Sequence, residues 1–240
     1  MTEFLPISSS GHLVLVPAFV GVDQPDLATS AVLHLGTLAA VVAFYRRDLL
    51  KLTRFRREPD ARRILALLAI GTVPAVIGVF VEDRIGSLQE DTTAVALALL
   101  VTGVVLVVSG WFMSGRLSLE RLPLKEGFLI GVAQAIALIP GISRSGMTIT
   151  AGLSRKLERT EAARFSFLLA VPAIAGAGLL QGLELIGTGG FGAEVWVGMV
   201  VAAVSGYLAI AVLLRALSRF GLRPFALYCF AVGTLALIVL

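Results

Sequence analysis

The sequence predicts an all-α polytopic membrane protein, built as six transmembrane helices plus two re-entrant broken-helix hairpins in an inverted repeat. Composition, the length of the apolar runs and the placement of charge carry that prediction. Of 240 residues, 57% are hydrophobic and another 25 are glycine, while 15% are charged. A soluble domain has about 45–50% apolar residues with glycine included and about 25% charged ones, so a water-soluble globule is excluded. A disordered chain is excluded by the abundant branched aliphatics, and a disulfide scaffold by Cys229 being the sole cysteine. A membrane β-barrel would alternate apolar and polar residues in segments of about ten; here the runs are continuous and about twice as long.

In chain order, the first element is a hairpin over residues 1–20. Glu3-Phe4-Leu5-Pro6 leads into Ser8-Ser9-Ser10-Gly11-His12 and then an apolar run from Leu13 to Val20. Spans follow at Leu27 to Tyr45, Ile64 to Val81 and Thr93 to Ser114, each near the ~17 to 25 apolar residues that a bilayer needs. A second hairpin covers residues 126–153. Its first arm, Gly127 to Ile139, has 13 residues and rises about 20 Å as a helix, short of a ~30 Å hydrocarbon core. It breaks at Pro140-Gly141, passes Ser143-Arg144-Ser145-Gly146 and resumes as Met147 to Leu153. Three more spans run Ala162 to Leu185, Val195 to Leu217 and Phe225 to Leu240.

The net charge of +4 and a pI near 9.7 would suggest nucleic acid in a soluble protein. Here the basic residues lie between apolar runs: eight from Arg46 to Arg63, three from Arg116 to Lys125, four from Arg155 to Arg164 and three from Arg215 to Arg223. They read as orientation signals, which makes those loops cytoplasmic and excludes nucleic acid as a partner. The opposite loops hold Asp23, Asp26, Glu82, Asp83, Glu90, Asp91, Glu184 and Glu194, with Arg84 as their one basic residue. The first hairpin therefore opens to the outer side and the second to the cytoplasm. Their centres also read alike: Leu5-Pro6-Ile7-Ser8-Ser9-Ser10-Gly11 lies against Ile139-Pro140-Gly141-Ile142-Ser143-Arg144-Ser145-Gly146 with one insertion. That match, with topology reversed, predicts halves 1–114 and 115–240 within a single integral membrane domain.

A helix that begins inside a membrane presents unpaired amides and about half a positive charge, and so attracts anions. Ser8, Ser9 and Ser10, and Ser143 and Ser145, stand at two such starts as hydroxyl donors and favoured N-caps. Arg144 adds a fixed cation whose planar fork suits phosphate oxygens. An arginine at depth costs at least ~2.5 kcal/mol, which marks it as a functional group; the competing assignment is a plain ion pair with Glu3. Glu3 and His12 complete the set, since a carboxylate and an imidazole divide proton transfer or hold a divalent ion. His34, on an apolar face, reads as a core residue. Neither a zinc-type His/Cys cluster nor a Walker loop occurs, so nucleotide hydrolysis is unsupported.

The stretches Glu3 to His12 and Pro140 to Thr148 resemble the two signature motifs of the undecaprenyl-diphosphate phosphatase family, bacitracin-resistance type, and Arg164 to Ala173 resembles the pattern that follows the second motif. The resemblance covers essentially the whole chain. It implies a bacterial inner-membrane hydrolase that removes the terminal phosphate of undecaprenyl diphosphate, recycling the lipid carrier for peptidoglycan synthesis. It also implies six spans with two re-entrant pairs. By that resemblance Glu3, Ser9, His12 and Arg144 are the expected catalytic set, and Ser8, Ser10, Ser143, Arg144, Ser145 and Thr148 the expected phosphate-binding set. Ser9 or a water would attack phosphorus, His12 would shuttle the proton, and Glu3 would orient His12 or ligate a divalent cation, Mg²⁺ or else Ca²⁺. Members of the family carry a further glutamate four positions before the one matching Glu3, ahead of where this sequence begins. The implied partners are the polyprenyl diphosphate lipid and the bilayer, with a homodimer left open.

The rival function is a transporter of the polyprenyl phosphate carrier, because inverted repeats with broken helices also build carriers. Ser10-Gly11-His12 resembles part of the acid-phosphatase-like lipid phosphatase signature as well, but Thr150 stands where that class needs its second histidine. Gly176, Gly178 and Gly182 are expected to allow close helix packing, Pro74 and Pro172 to kink their spans, and Trp111 and Trp196 to anchor span ends. Nothing at the N-terminus reads as a cleavable signal peptide.

Overall fold

The computed structural model describes residues 1–24, 27–79, 87–89, 91–112, 115–187 and 193–240, with every side chain in those ranges except 27–32, 79, 87, 177, 179–187 and 193–195. The predicted loop residues Asp26, Glu82, Asp83, Arg84 and Glu90 and the span ends Val81 and Ser114 lie outside the described residues, as do the side chains of Glu184 and Glu194 and the surroundings of Gly182.

Ten α-helices account for the described fold: α1 (Ser9–Val20), α2 (Leu27–Phe44), α3 (Arg46–Leu52), α4 (Pro59–Val79), α5 (Thr92–Val108), α6 (Leu124–Ile136), α7 (Arg144–Ser154), α8 (Arg159–Gly187), α9 (Ala193–Arg219) and α10 (Arg223–Val239). Short 3₁₀ turns add Ser87–Gln89, Ser109–Phe112 and Leu119–Arg121. Among the described residues the one extended pairing is an isolated bridge between Leu117 and Leu157.

Among the described residues three helical stretches are long and apolar enough to cross a membrane: Pro59–Gly78 at mean hydropathy 1.6, and Thr92–Phe112 and Trp196–Arg219 at 2.4 each. Shorter apolar helices are Ser9–Val20, Leu33–Phe44 and Arg223–Val239. The chain is an all-helical, multi-pass membrane protein. Several helices begin before their apolar runs. Pro59 opens α4 at a position where its missing N–H costs nothing, and Asp60 complements the helix dipole there. Asp91 caps α5, its carboxylate accepting from the amides of Thr93 at 2.9 Å and Ala94 at 3.1 Å.

Lipid is as apolar as leucine, so helices in a membrane associate chiefly where small residues let backbones approach. A Cβ on Gly36 of α2 would stand 2.3 Å from the Met199 carbonyl of α9, and one on Gly131 of α6 would stand 2.2 Å from the Gly71 carbonyl of α4. Those glycines fix two of the closest pairings, α2 with α9 and α4 with α6; α5 with α10 and α2 with α8 are others. Gly178 packs against Leu35 as expected, but a Cβ on Gly176 would meet nothing within 4 Å among the described residues, so the expectation of close packing there is corrected.

The buried core runs through the N-terminal segment. Phe4, Phe165 and Phe167 are fully buried, and Phe4 meets Phe167 edge-on with centroids 5.7 Å apart. Burying Phe4 against α8 pins residues 1–8, which form no helix, and so fixes where Glu3 and Ser8 stand. At the basic end of the molecule Arg164 ties α8 to its neighbours, with Nη2 2.6 Å from Asp48 Oδ1 and Nη1 3.0 and 3.1 Å from Glu120 and Glu161. Partial burial pushes the Glu120 carboxyl up, but its own backbone amide and the Arg164 guanidinium outweigh this and hold it below the usual carboxylate range.

Candidate functional site

The starts of α1 and α7 are built alike and touch. Ser8 caps α1 by accepting from the Gly11 amide at 3.2 Å, with its hydroxyl 3.2 Å from that of Ser10. Ser143 caps α7 by accepting from the Gly146 amide at 3.1 Å, with its hydroxyl 3.3 Å from that of Ser145. Two short segments with the same serine spacing therefore fold into the same cap, as N-cap chemistry dictates. The caps are joined through Ser8 Oγ donating to the Ile142 carbonyl and the Gly141 amide donating to Ser10 Oγ, both at 3.4 Å.

Each start is held in an unusual backbone. Ser8 has φ +66°, a region that costs a residue with a side chain about 1–3 kcal/mol and clusters at functional sites. Gly141 has φ +92°, and a Cβ there would come within 2.4 Å of the Val95 carbonyl, so only glycine fits. Thr102 of α5 clamps the break between α6 and α7: its hydroxyl donates to the Gly141 carbonyl at 3.0 Å and accepts from the Ser143 amide at 3.1 Å.

At the caps, positions Ser9 and Arg144 correspond, and both reach one carboxylate. Arg144 Nη2 donates to Glu3 Oε1 at 2.7 Å, while Ser9 Oγ donates to Oε2. His34 Nε2 lies 3.4 Å from the same Oε2. The Glu3 side chain is 11% exposed and that of Arg144 19%, so the pair is sheltered without being sealed. The ion pair weighed as a competing assignment for Arg144 is thus present, and it lies beside two serine-capped helix starts. The core reading of His34 is corrected: α2 carries the imidazole to Glu3, where a carboxylate offers what an apolar face lacks.

His12 is placed differently from expectation. Nδ1 lies 2.8 Å from the Ser8 carbonyl and Nε2 2.8 Å from the Tyr228 hydroxyl, with the two rings stacked at 5.6 Å and 9°. A carbonyl only accepts, so Nδ1 carries the proton and Nε2 accepts from Tyr228. Both nitrogens are thereby engaged, which corrects the expectation that Glu3 orients His12: Ser8 and Tyr228 orient it. Thr148 turns inward, donating to the Arg144 carbonyl at 2.8 Å and sharing a hydrogen bond with Ser166 at 2.6 Å.

Sequence reasoning assigned His34 to the core and passed over Tyr228, Thr102 and Ser166. Thr102 and Ser166 did carry a signal, a polar residue inside an apolar run whose hydroxyl must find a partner; Tyr228 carried none. Among the described residues no group of three or more His, Cys, Asp or Glu side chains gathers, and Glu3 is the carboxylate at the helix starts. That donor set fits a divalent cation held mainly by substrate oxygens and water rather than one caged by protein.

The family model described as bacitracin resistance protein BacA matches residues 1–235. The chain belongs to this family. Curated relatives in it include an undecaprenyl-diphosphatase of Rubrobacter xylanophilus, 45% identical with 98% of this chain and 92% of the relative covered. The undecaprenyl-diphosphatase of Thermomicrobium roseum is 44% identical over 99% of this chain and 93% of its own length. That of Methanosphaera stadtmanae is 37% identical over 100% of this chain and 93% of its own.

Proposed function

We propose that this chain hydrolyses undecaprenyl diphosphate to undecaprenyl phosphate and inorganic phosphate, recycling the lipid carrier of cell-wall synthesis and conferring bacitracin resistance. One observation carries the reading: Ser9 and Arg144, matching positions of two like caps, converge on Glu3 where two helix starts meet. The near full-length similarity to undecaprenyl-diphosphatases supplies the substrate.

Arg144 spends Nη2 on Glu3 and keeps its other N–H groups for phosphate oxygens, and the first-turn amides of α1 and α7 add donors without reorganisation. Ser8, Ser10, Ser143 and Ser145 shape that cradle and offer hydroxyls to it, while Thr148 and Ser166 brace the first turn of α7 from behind. Ser9 Oγ attacks the terminal phosphorus, its proton passes to Glu3, and the bond to the bridging oxygen breaks as undecaprenyl phosphate leaves. Water then opens the phosphoserine, returning a proton to Ser9 and releasing phosphate. His12 Nε2 is the basic nitrogen beside the caps and takes the proton of that water in place of the one it accepts from Tyr228, while the proton held on Glu3 returns to Ser9. Glu3, together with the substrate's phosphates, would hold Mg²⁺ or Ca²⁺, whose chemistry is to neutralise charge on the diphosphate.

The same reading assigns two re-entrant hairpins, residues 1–20 and 126–153, within six spans of a bacterial inner membrane. The basic loops face the cytoplasm and the first hairpin opens outward. The like caps support an inverted repeat, as do the pairings α2 with α8 and α5 with α10, which join corresponding helices of the two halves. Phosphate release from undecaprenyl diphosphate in detergent tests the function, because with no bilayer to cross a carrier releases none. Wild type should turn over, and Arg144→Ala and His12→Ala should each lose nearly all activity; wild-type rates in both would discard this site.

A further inference from the structure

On the basic side of the molecule, four helix ends leave a cleft that the hydrolysis does not use. Gly110 of the 3₁₀ turn after α5, Arg159 opening α8, Arg219 closing α9 and Arg223 opening α10 line it together with Phe220 and Gly221. Its volume is about 240 Å³. Arginines from three helices line it, and among the described residues no carboxylate does.

Like charges at close quarters repel, and three arginines elsewhere on this side are neutralised, Arg164 by three carboxylates, Arg155 by Glu126 and Arg54 by Glu58. Among the described residues no carboxylate lies within salt-bridge distance of Arg219 or Arg223. The cleft is also shaped rather than diffuse. Arg159 Nη1 donates to the Ser218 carbonyl at 3.1 Å, and Arg223 lies over Gly110, where a Cβ would come 3.8 Å from its Nε. Gly221, at φ +72°, turns the chain sharply enough to set Arg219 and Arg223 at one opening. Phe220 in its lining is 63% exposed, and Trp111, next in the chain to Gly110, is 77% exposed and of the type that sits at headgroup level.

We infer that this cleft binds the phosphate of an anionic phospholipid headgroup, a missing counter-charge supplied by the surrounding leaflet. Basic pockets between helix ends on the cytoplasmic face are suited to that chemistry, and the bidentate fork of arginine matches a phosphodiester. The site is separate in residues from the Arg144 cap and does not depend on hydrolysis there.

The test is native mass spectrometry of the purified full chain titrated with phosphatidylglycerol, phosphatidylcholine or inorganic phosphate. Wild type should hold phosphatidylglycerol about tenfold more tightly than phosphatidylcholine, and Arg219→Gln/Arg223→Gln should remove that preference. Both arginines are exposed, so the variant should fold, and an unchanged melting temperature checks this. Arg47→Gln/Arg57→Gln, the same charge change at exposed sites outside the cleft, should leave the preference intact. Equal phosphatidylglycerol binding by wild type and the cleft variant overturns the inference, as does an equal loss in the Arg47/Arg57 control. Displacement of the lipid by low-millimolar inorganic phosphate would reassign the cleft to free phosphate and overturn the lipid assignment.

Discussion

Glu3 serves three partners with two oxygens, and each comes from a different element: Ser9 from α1, Arg144 from α7 and His34 from α2. Loss of any one leaves a sheltered charge short of a hydrogen bond, so the residue acts as a hub rather than as half of a pair. His12 is governed by a separate contact, and it yields a prediction. Tyr228→Phe keeps the stacked ring but removes the hydroxyl that donates to Nε2; one hydrogen bond is worth about 0.5–1.5 kcal/mol, so kcat should fall roughly two- to tenfold with KM little changed. Tyr228→Leu, which loses the ring as well, should fall further, and phosphate release at saturating substrate measures both. Serines and arginine of the two caps were legible in the sequence because the motif is local and occurs twice. His34 and Tyr228 were not, since each arrives from a distant helix with no pattern of its own to mark it.

At the scale of elements, the broken helix was legible from length and from Pro140-Gly141, because thirteen helical residues cannot span a bilayer and proline with glycine ends a helix. The boundaries were less so: hydropathy stops at the last apolar residue, whereas α4 continues back through Arg63 and Arg62 to Pro59 and α8 back through Glu161 to Arg159, to ends set by hydrogen bonding. The clamp on the break was hidden as well, for it lies on α5. Thr102→Val removes a hydroxyl that satisfies both Gly141 and Ser143 and leaves a buried carbonyl and amide without that partner. The expected cost is about 1–3 kcal/mol for each group stranded, seen as a lower melting temperature in detergent together with weakened turnover. Thr102→Ser, which keeps the oxygen, should restore most of both.

For the molecule as a whole, composition announces the membrane, but the choice of helix partners depends on close approaches that an apolar pattern does not encode. What polar chemistry remains at the basic end is concentrated in the cluster of Asp48, Glu120, Glu161 and Arg164, which joins α3, the Leu119–Arg121 turn and α8. Its pH dependence follows from Glu120. A carboxyl held below its ordinary value of 4.5 contributes stability that is fully present above that value and is lost as pH falls through the lower, folded one. Glu120→Gln should therefore melt below wild type by a constant margin at neutral pH. The margin should shrink as pH drops below about 4.5 and vanish once wild-type Glu120 is protonated, because both proteins then present a neutral side chain to Arg164. The contribution is modest, since Glu120 is partly exposed and its attraction to Arg164 is screened by water and salt. Melting curves of the two proteins in one detergent across pH 3 to 8 decide it; a margin that is flat through that range, or that widens in acid, removes Glu120 from the account of what holds α8 to α3.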